Sequence, residues 1–465
     1  MDLARLGIPR GEAMKAALSA VAEASAAGIK GKTLEAMVES VVENPSAYAQ
    51  DQYFKEVAEL LIHFPPVDAE ASSEEERSSP ISYRRWGKDI EPEAILQMEN
   101  ACRLPVTVAG ALMPDAHMGY GLPIGGVLAT KDAVIPYAVG MDIACRMKLS
   151  VLDLPVSALQ NEQDRLRGAL MEETSFGVGA AFKHRRQHPV MDEDWTISPV
   201  LLREKDKAWQ QLGTSGSGNH FVEFGVLTLK EDNLGLRKGE YLALLSHSGS
   251  RGTGAEVARH YSRLAAGRHP GLSREMKALA WLDLKSQEGR EYWAAMELMG
   301  RYAAANHALI HRAIAGHLGV AVLLGVENHH NFAWKEYLPK KGNAPAEEAI
   351  IHRKGATPAH EGDLGVIPGS MATPGFVVRG RGNAQSLHSA AHGAGRRMSR
   401  KAALKRYTWQ EARAFLTERG VSLISAGLDE VPMAYKDIEE VMIAQADLVE
   451  IIARFDPKLV LMARS

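Results

Sequence analysis

Beyond residue 80 the sequence alternates between short apolar runs and loops that are dense in glycine. The runs LPVTVAGALM, GGVLAT and YLALLS have the length of strands, and turn-forming glycines follow them. One long segment, Gln287 to Leu318, instead has the amphipathic period of a helix, and we interpret its Met and aromatic residues as core rather than as a cofactor site. This alternation predicts an α+β architecture.

The N-terminal part of the chain has a different pattern. An alanine-rich, helix-periodic region runs from Gly11 to about Phe64 and is interrupted at Gly28, Gly31 and Pro45, which predicts a small helical bundle. Residues 65–80 combine Pro and Ser with five acidic residues and lack apolar periodicity, as a solvated linker does. We therefore predict a helical region at 1–64, a linker at 65–80 and a catalytic domain at 81–465.

The composition limits the class of protein. The 465 residues are 46% hydrophobic and contain two cysteines, Cys102 and Cys145, which is too few for a disulfide framework. No apolar stretch approaches the roughly 18 residues of a membrane span, and residues 1–10 lack the apolar core of a signal peptide. We expect a cytoplasmic protein that has no membrane partner.

Two basic clusters could contact a polyanion although the net charge is only -3. The alternative is that each is a solvated surface. The first cluster consists of Lys183, His184, Arg185 and Arg186, and the second of Arg396, Arg397, Arg400, Lys401, Lys405 and Arg406, at spacings that would line one side of a helix.

Glycine-rich turns that follow apolar runs carry polar side chains able to bind metal. Taken singly, each histidine is more often structural than a ligand, but together one thiolate, one carboxylate and several imidazoles suit Zn, Mn, Fe or Co. Their spacing matches neither a zinc finger nor an HExxH protease. The residues alone thus indicate a metalloenzyme and leave its reaction open. The candidate ligands are Asp142, Cys145, His220, His247 and His330.

The motifs as a set resemble the RtcB-type RNA ligases, a family of tRNA-splicing and RNA-repair enzymes. The resemblance covers about residues 82–465 in the family's order and does not extend to residues 1–80. It rests on MPDAHMGYGLPIGGVLAT, VGMDIACRM, LGTSGSGNHFVEF, HSGSRGTG, HHNFA, HRKGATPA, IPGSM, HGAGRRMSR and AYKDIEEV.

The resemblance implies a single large α+β domain, with central mixed β-structure and surrounding helices, that holds two manganese ions and uses GTP. It would join RNA 3'-phosphate or 2',3'-cyclic phosphate ends to 5'-hydroxyl ends. Cys145 would bridge the ions, with Asp142 and His220 on one and His247 and His330 on the other. His392 would be the nucleophile that forms a histidine-GMP intermediate.

The matching positions also imply nucleotide and RNA contacts. Glu223 would accept from guanine N1–H and N2–H₂, and the glycine-rich turns would approach phosphate closely. The implied RNA contacts are Arg251, Arg353 and Lys354. The implied nucleotide contacts are Asn219, His220, Phe221, Val222, Glu223, His330, Asn331, Pro368, Gly369, Ser370, Met371, His392, Gly393, Ala394, Gly395, Tyr435 and Arg464.

Four positions depart from the family pattern. Arg146 follows Cys145 where glycine is usual, and Ala391 precedes the nucleophile where cysteine is frequent. Gly375 stands where a serine often contacts the nucleotide. The chain ends in Arg464-Ser465 rather than Lys-Gly, so Arg464 would donate to guanine O6.

These departures keep two other functions open. One is an RNA-end-binding repair or sensing factor that ligates weakly or not at all, and the other is a 3'-end guanylyltransferase. An accessory activating protein is a further partner that the resemblance allows.

Overall fold

The computed structural model describes residues 3, 6–8, 12–63, 76–338 and 345–464, and the statements below on elements refer to these ranges. The chain forms two compact units. One consists of the described part of Met1–Glu75 with Leu282–Glu291, and the other of Glu76–Trp281 with Tyr292–Ser465.

In the first unit, three helices pack their apolar faces on one another. They are α1 (Glu12–Ala26), α2 (Lys32–Glu43) and α3 (Lys55–His63), with a 3₁₀ turn at Pro45–Tyr48 between the last two. Their shared core includes Ala17, Val38 and Phe54. The predicted helical region and its breaks are therefore confirmed for the described residues. The predicted linker at 65–80 falls mostly on 64–75, which lie outside the described residues, and the domain boundary stays a prediction.

Helices and strands alternate irregularly along the rest of the chain, which confirms the α+β prediction. The further helices are α4 (Pro92–Cys102), α5 (Pro136–Val139), α6 (Ala158–Asn161), α7 (Gln163–Glu173), α8 (Pro199–Gln211), α9 (Arg251–Arg268), α10 (Gln287–Leu318), α11 (Arg400–Arg406), α12 (Trp409–Glu418) and α13 (Ile438–Ala444). The strands are β1 (Arg84–Arg85), β2 (Thr107–His117), β3 (Ile124–Thr130), β4 (Ala133–Val134), β5 (Arg146–Leu152), β6 (Phe221–Leu229), β7 (Gly239–Ser248), β8 (Leu282–Asp283), β9 (Val322–His329), β10 (Asn331–Leu338), β11 (Glu347–Lys354), β12 (Ala356–Pro358), β13 (Leu364–Ile367), β14 (Gly375–Gly380), β15 (Ser389–Ala391), β16 (Ser422–Ser425) and β17 (Val449–Met462).

Two mixed sheets form the framework of the large unit. The first has the strand order β1-β2-β3-β11-β10, and the second the order β13-β14-β17-β6-β7-β5-β9 with β16 beside β17. Most pairs are antiparallel, whereas β1 with β2 and β16 with β17 are parallel. A short pair, β12 with β15, adds a third piece of sheet.

The helix predicted at Gln287 to Leu318 has those bounds in the structure. Its Tyr292, Met296, Met299 and Tyr302 side chains are fully buried, which confirms that they belong to the core, whereas Trp293, which we also expected there, is only partly buried. In the described part of the chain, no helix is both long and apolar enough to cross a membrane.

The second basic cluster lies only partly on a helix. Helix α11 begins at Arg400, so Arg396 and Arg397 precede it in an irregular segment. The prediction that all six cations share one helix face is therefore wrong, because Ser399 caps the helix by accepting from the N–H of Ala402.

Candidate functional site

The pairing of the large sheet brings four predicted ligand positions to the same sheet end. Arg146, the residue after Cys145, pairs with Ser248 on one side and with His329 on the other. Phe221, the residue after His220, pairs with His247. Three separate loops and one strand therefore place their metal-capable side chains next to each other.

Cys145 lies at the centre of the resulting cluster. Its Sγ is 3.1 Å from Nε2 of His247 and 3.4 Å from Nε2 of His220. His247 Nε2 lies 3.2 Å from Nε2 of His330, and His220 Nε2 lies 3.0 Å from Oδ2 of Asp142. Two overlapping donor sets result, Asp142–Cys145–His220 and Cys145–His247–His330, and in each the ligand atoms lie within 4.8 Å of one another.

The imidazoles of this cluster are held neutral. Burial lowers the pKa of His247 to about 3 and the pKa of His330 well below its usual range. The pKa of His220 is also lowered by burial. A neutral imidazole keeps a lone pair, which is the form that binds a metal ion. The opposed ring nitrogens of His247 and His330 therefore fit a site for a divalent ion.

The pKa values of the two acidic donors, Asp142 and Cys145, shift in opposite directions. Burial, and next the charge of Asp142, raise the pKa of the Cys145 thiol well above its usual range. Although burial acts to raise the pKa of Asp142, the hydrogen bond from His220 holds it below the usual range. A bound cation would displace the thiol proton and form the thiolate, so cation binding and proton release are coupled here.

A glycine permits the close approach of two loops at Asp142. The N–H of Ser250 donates to Oδ1 of Asp142 at 3.0 Å. A Cβ atom on Gly249 would lie 2.3 Å from both carboxylate oxygens, so no larger residue fits there. Asn331 also stabilises this loop, because its Nδ2 donates to the carbonyl oxygen of Asp142 at 3.3 Å.

Outer contacts orient the imidazoles. Nδ1 of His247 lies 3.1 Å from the carbonyl oxygen of Asn219, which directs Nε2 toward Cys145. Arg251, a predicted RNA contact, is buried, and its guanidinium lies 3.1 Å from Nδ1 of His220. A guanidinium only donates, so Nδ1 of His220 accepts here and Nε2 carries the ring proton. If Nε2 binds a cation, the proton of the neutral ring moves to Nδ1, and the guanidinium of Arg251 must then move away.

His392 lies beside this cluster. Its ring centroid is 4.9 Å from that of His330, and its Nδ1 lies 2.7 Å from Oδ2 of Asp115. Asp115 is fully buried, and sequence reasoning did not assign it a role although it lies in the motif MPDAHMGYGLP. The missed signal was an acidic residue inside an otherwise apolar strand, which requires a buried partner.

One cavity of about 710 Å³ connects these groups. Its wall includes His392 and the residues of both donor sets as well as most predicted nucleotide contacts. The predicted residues that line it are Asp142, Cys145, Asn219, His220, Phe221, Glu223, His247, His330, Asn331, Lys354, Pro368, Gly369, Ser370, Met371, Gly375, His392, Gly393, Ala394, Gly395 and Tyr435.

The turn after His392 and the loop that begins at Pro368 contact each other at the cavity wall. The N–H of Ala394 donates to the carbonyl of Pro368 at 3.1 Å, and the N–H of Ser370 donates to Oγ1 of Thr373 at 2.7 Å. These two donors are engaged. In the described residues the N–H groups of Gly369, Met371, Gly393 and Gly395 have no such partner, so these four donors remain for a phosphate.

Strand β6 divides its side chains between the cavity and the core. Phe221 and Glu223 line the cavity, whereas Val222 points to the opposite face and packs in the core with Leu244. Val222 is thus not brought to the site by its side chain. Burial raises the pKa of Glu223 well above its usual range, and the carboxyl has no hydrogen-bond partner among the described residues.

Three predicted contacts have different surroundings. Burial lowers the pKa of Lys354, at the cavity wall, to about 7. Arg353 is fully buried outside the cavity, where it donates to Glu336 at 2.6 Å. Arg464 is exposed and lines a second cavity with Trp409. The structure therefore does not bring Arg353 or Arg464 to the site. Arg353 precedes Lys354 on β11, so the two side chains point to opposite faces, and Arg464 lies beyond the end of β17 beside Trp409.

The other departures from the family pattern do not block the site. Arg146 is buried and pairs with Glu327 at 3.4 Å, outside the cavity. Ala391 is buried on β15, and Gly375 lines the cavity next to the Pro368 loop.

Comparison with known proteins supports the motif-based interpretation. A family model described as tRNA-splicing ligase RtcB matches residues 97–197 and 193–463. The RNA-splicing ligase RtcB of Escherichia coli (strain K12) is 31% identical over 81% of this chain and 95% of its own length. The tRNA-splicing ligase RtcB of Nanoarchaeum equitans is 30% identical over 80% of this chain and 92% of its own, and the RNA-splicing ligase RtcB of Mycobacterium tuberculosis is 32% identical over 78% and 99%.

Proposed function

The chain belongs to the RtcB family of RNA-splicing ligases, and from that premise we propose that it is a GTP- and manganese-dependent ligase. It would join RNA 3'-phosphate or 2',3'-cyclic phosphate ends to 5'-hydroxyl ends, in RNA repair or tRNA splicing. One observation carries the proposal: a histidine whose Nδ1 is held by a buried carboxylate lies in the same cavity as two overlapping cation-binding donor sets.

The pair of His392 and Asp115 prepares a nucleophile. A carboxylate accepts, so the proton between the two groups is on Nδ1 and the lone pair is on Nε2. In the proposed first step Nε2 attacks the α-phosphorus of GTP. The new N–P bond forms as the bond to the pyrophosphate oxygen breaks, and pyrophosphate leaves.

The guanylate then activates the RNA end. An oxygen of the 3'-phosphate attacks the phosphorus on His392, which breaks the N–P bond and gives a mixed anhydride. The 5'-hydroxyl oxygen then attacks the 3'-phosphorus as its proton is lost, and the anhydride bond breaks to release GMP. Without activation the displaced group would be hydroxide, which is a much poorer leaving group than GMP. A cyclic phosphate must first be opened by water to the 3'-phosphate.

Five residues would hold two manganese ions: Asp142, Cys145, His220, His247 and His330. Two bound cations supply charge that stabilises the attacking and leaving oxygens of a phosphoryl transfer. The protein's own contribution is to supply neutral imidazoles and a thiol whose proton a cation can displace. Lys354 at the cavity wall, with its pKa lowered to about 7 by burial, adds a further donor for phosphate oxygens.

Glu223 is the proposed source of GTP preference. It is buried at the cavity wall without a hydrogen-bond partner among the described residues, which is costly for a carboxyl. The N1–H and N2–H₂ donors of guanine would satisfy it, and adenine lacks both. Tyr435 would contact the nucleotide from the other side, since its hydroxyl hydrogen-bonds Glu430 and leaves its ring at the cavity.

The proposed compartment is the cytoplasm. Both cysteines are unpaired and buried, and a proposed thiolate ligand needs reducing surroundings to stay free. Its partners are RNA ends and GTP, and an accessory activating protein remains part of the proposal.

The test uses the pure protein with Mn²⁺ and GTP labelled at the α-phosphate. The expected result is covalent label on the protein, which is lost when RNA with a 3'-phosphate and RNA with a 5'-hydroxyl are added and joined. Label that reaches RNA without joining would indicate a guanylyltransferase instead. Binding of RNA ends without any label would indicate an end-binding factor.

A further inference from the structure

The loop between β2 and β3 carries two large exposed side chains at the mouth of the cavity that contains His392. Met118 is 57% exposed and Tyr120 is 76% exposed, and both line the cavity. Neither takes part in the chemistry proposed above. Large apolar side chains left exposed at a cavity mouth are typical of a contact surface.

The backbone that presents these side chains is held firmly. The N–H of Met118 donates to Oε2 of Glu91 at 3.1 Å. Gly119 exchanges two hydrogen bonds with the side chain of Gln97, one of 3.0 Å from its N–H and one of 2.6 Å to its carbonyl. Because the backbone of this loop is already fixed, ligand binding would have to order only the side chains.

The same loop is connected to the nucleophile. The ammonium of Lys354 donates to the carbonyl of Tyr120. The next residue, Gly355, packs against His392, and a Cβ atom on it would lie 3.2 Å from Cε1 of that ring. The backbone of Tyr120 is thus connected to the proposed catalytic imidazole through Lys354 and the adjacent Gly355.

We propose that Tyr120, with Met118 beside it, stacks on the terminal nucleobase of the RNA end whose 3'-phosphate enters the cavity. This inference rests on the proposed function. An exposed tyrosine ring suits a base because every base has a π-face, and stacking tolerates any sequence. The Lys354 ammonium below the loop is a cation for the phosphate of the same nucleotide. We have assigned the guanine of GTP to Glu223 on β6, so the ring of Tyr120 is available to contact a base of the RNA.

The test measures binding of fluorescent single-stranded RNA with a 3'-phosphate by anisotropy, with Mn²⁺ present and GTP absent so that no ligation occurs. Each protein is titrated with two RNAs, one intact and one with an abasic terminal nucleotide. Tyr120→Ala should weaken binding of the intact RNA by roughly tenfold or more, and Tyr120→Phe should bind nearly as the wild type does. The matched control is Tyr337→Ala, since Tyr337 is 68% exposed but does not line the cavity.

The abasic RNA decides between stacking and an indirect effect. The affinity of wild-type protein for the abasic RNA should be lower than for the intact RNA by the same factor as the Tyr120→Ala substitution causes. The affinity of Tyr120→Ala should be the same for both RNAs. If Tyr120→Ala weakens both RNAs equally, the residue does not contact the base and the inference is wrong. If wild-type protein binds both RNAs and Tyr120→Ala binds them unchanged, this inference fails alone and the exposed ring serves another partner, such as a protein. If wild-type protein binds no RNA, the inference and the proposed function fail together.

Discussion

Oδ2 of Asp115 lies 2.7 Å from Nδ1 of His392 and also accepts from the backbone N–H of His392 at 3.2 Å. Two hydrogen bonds to one oxygen fix both the position of the ring and its tautomer. The other oxygen, Oδ1, is buried and has no hydrogen-bond partner among the described residues. The buried carboxylate therefore directs Nε2 of His392 into the cavity.

The first prediction concerns this pair. His392→Ala should abolish covalent labelling by GTP because it removes the attacking nitrogen. Asp115→Asn should keep the fold but lower the labelling rate by about 10² to 10⁴, since an amide no longer enforces the tautomer with a free Nε2. Single-turnover labelling with excess GTP measures both effects.

The control for this prediction is His388→Ala. His388 stacks on His360 at a ring-centroid distance of 5.0 Å, and neither residue lines the cavity. This variant should label at the wild-type rate. Label that persists on His392→Ala and disappears from His388→Ala would show that the nucleophile is misassigned.

The second prediction compares the two cysteines. Cys145→Ser should weaken Mn²⁺ binding by at least about tenfold, because the thiolate would belong to both donor sets. Cys102→Ser should not, since burial raises the pKa of that thiol to about 12 and it lies at the end of α4. Elemental analysis after dialysis measures the bound metal, and equal metal content in the two variants would contradict the assignment.

The pH dependence of metal binding follows from the same thiol. The pKa of Cys145 lies well above its usual range in the absence of a cation, so binding must release a proton. The affinity for Mn²⁺ should therefore fall as the pH falls. A titration at several pH values in two buffers of different ionisation enthalpy measures the released proton directly.

Much of the framework could be predicted from the sequence because it follows from local patterns. The helix at Gln287–Leu318 has a long amphipathic period, and the strand runs have matching turns. A candidate cation site was also predictable in kind, because a thiol, a carboxylate and several imidazoles in separate glycine-rich turns suit a divalent cation as a group, and the structure brings them into two donor sets. Their mutual distances follow only from the register of β5, β6, β7 and β9, which no local pattern specifies.

The rest depends on partners that are distant in sequence. Asp115 and His392 are separated by 277 positions, so no spacing rule could pair them. Arg353 shows the limit of carrying over a motif position, because the resemblance implied an RNA contact there whereas the guanidinium donates to Glu336 on the neighbouring strand. The position of Arg464 could not be predicted either, because its side chain, just after the last strand, points to the second cavity and not to the first.

The third prediction concerns Glu223. Its pKa is raised by burial, so the folded protein binds this proton more tightly than the unfolded chain does. Stability should therefore fall as the pH rises from the unfolded pKa toward the folded one, and Glu223→Gln should be more stable than the wild type at neutral pH. Thermal unfolding between pH 4.5 and about 8 measures the difference, which should shrink toward the acid end.

The same residue should control nucleotide choice. Wild-type protein should label with GTP more than about a hundredfold faster than with ATP, because ATP leaves the buried carboxyl without donors. Glu223→Ala should lose most of this preference. Equal labelling of wild-type protein by the two nucleotides would place the base elsewhere in the cavity.

The fourth prediction concerns Arg353. Its guanidinium is fully buried and donates to Glu336 at 2.6 Å and to Ser389 Oγ at 2.8 Å. Arg353→Ala should destabilise the protein by about 3 kcal/mol, because it removes a fully buried guanidinium and leaves the largely buried carboxylate of Glu336 with His360 as its remaining partner. Urea unfolding measures the loss, and the double variant Arg353→Ala with Glu336→Gln should recover part of it. A variant of unchanged stability that binds RNA weakly would restore the predicted RNA role.

The last prediction concerns the C-terminus. Met462 lines the main cavity, and the N–H of Ala463 donates to the carbonyl of His220 at 3.4 Å. Arg464 instead lines the second cavity, of about 420 Å³, beside Trp409. Deletion of Arg464 and the residue after it keeps the hydrogen bond of Ala463, so the ratio of GTP to ATP labelling should change by less than about twofold. Deletion that also removes Ala463 should lower metal content, because it removes the hydrogen bond that holds the carbonyl of His220. If the shorter deletion alone abolished GTP preference, Arg464 would have to move to the guanine when the nucleotide binds, as the Lys-Gly ending of the family implies.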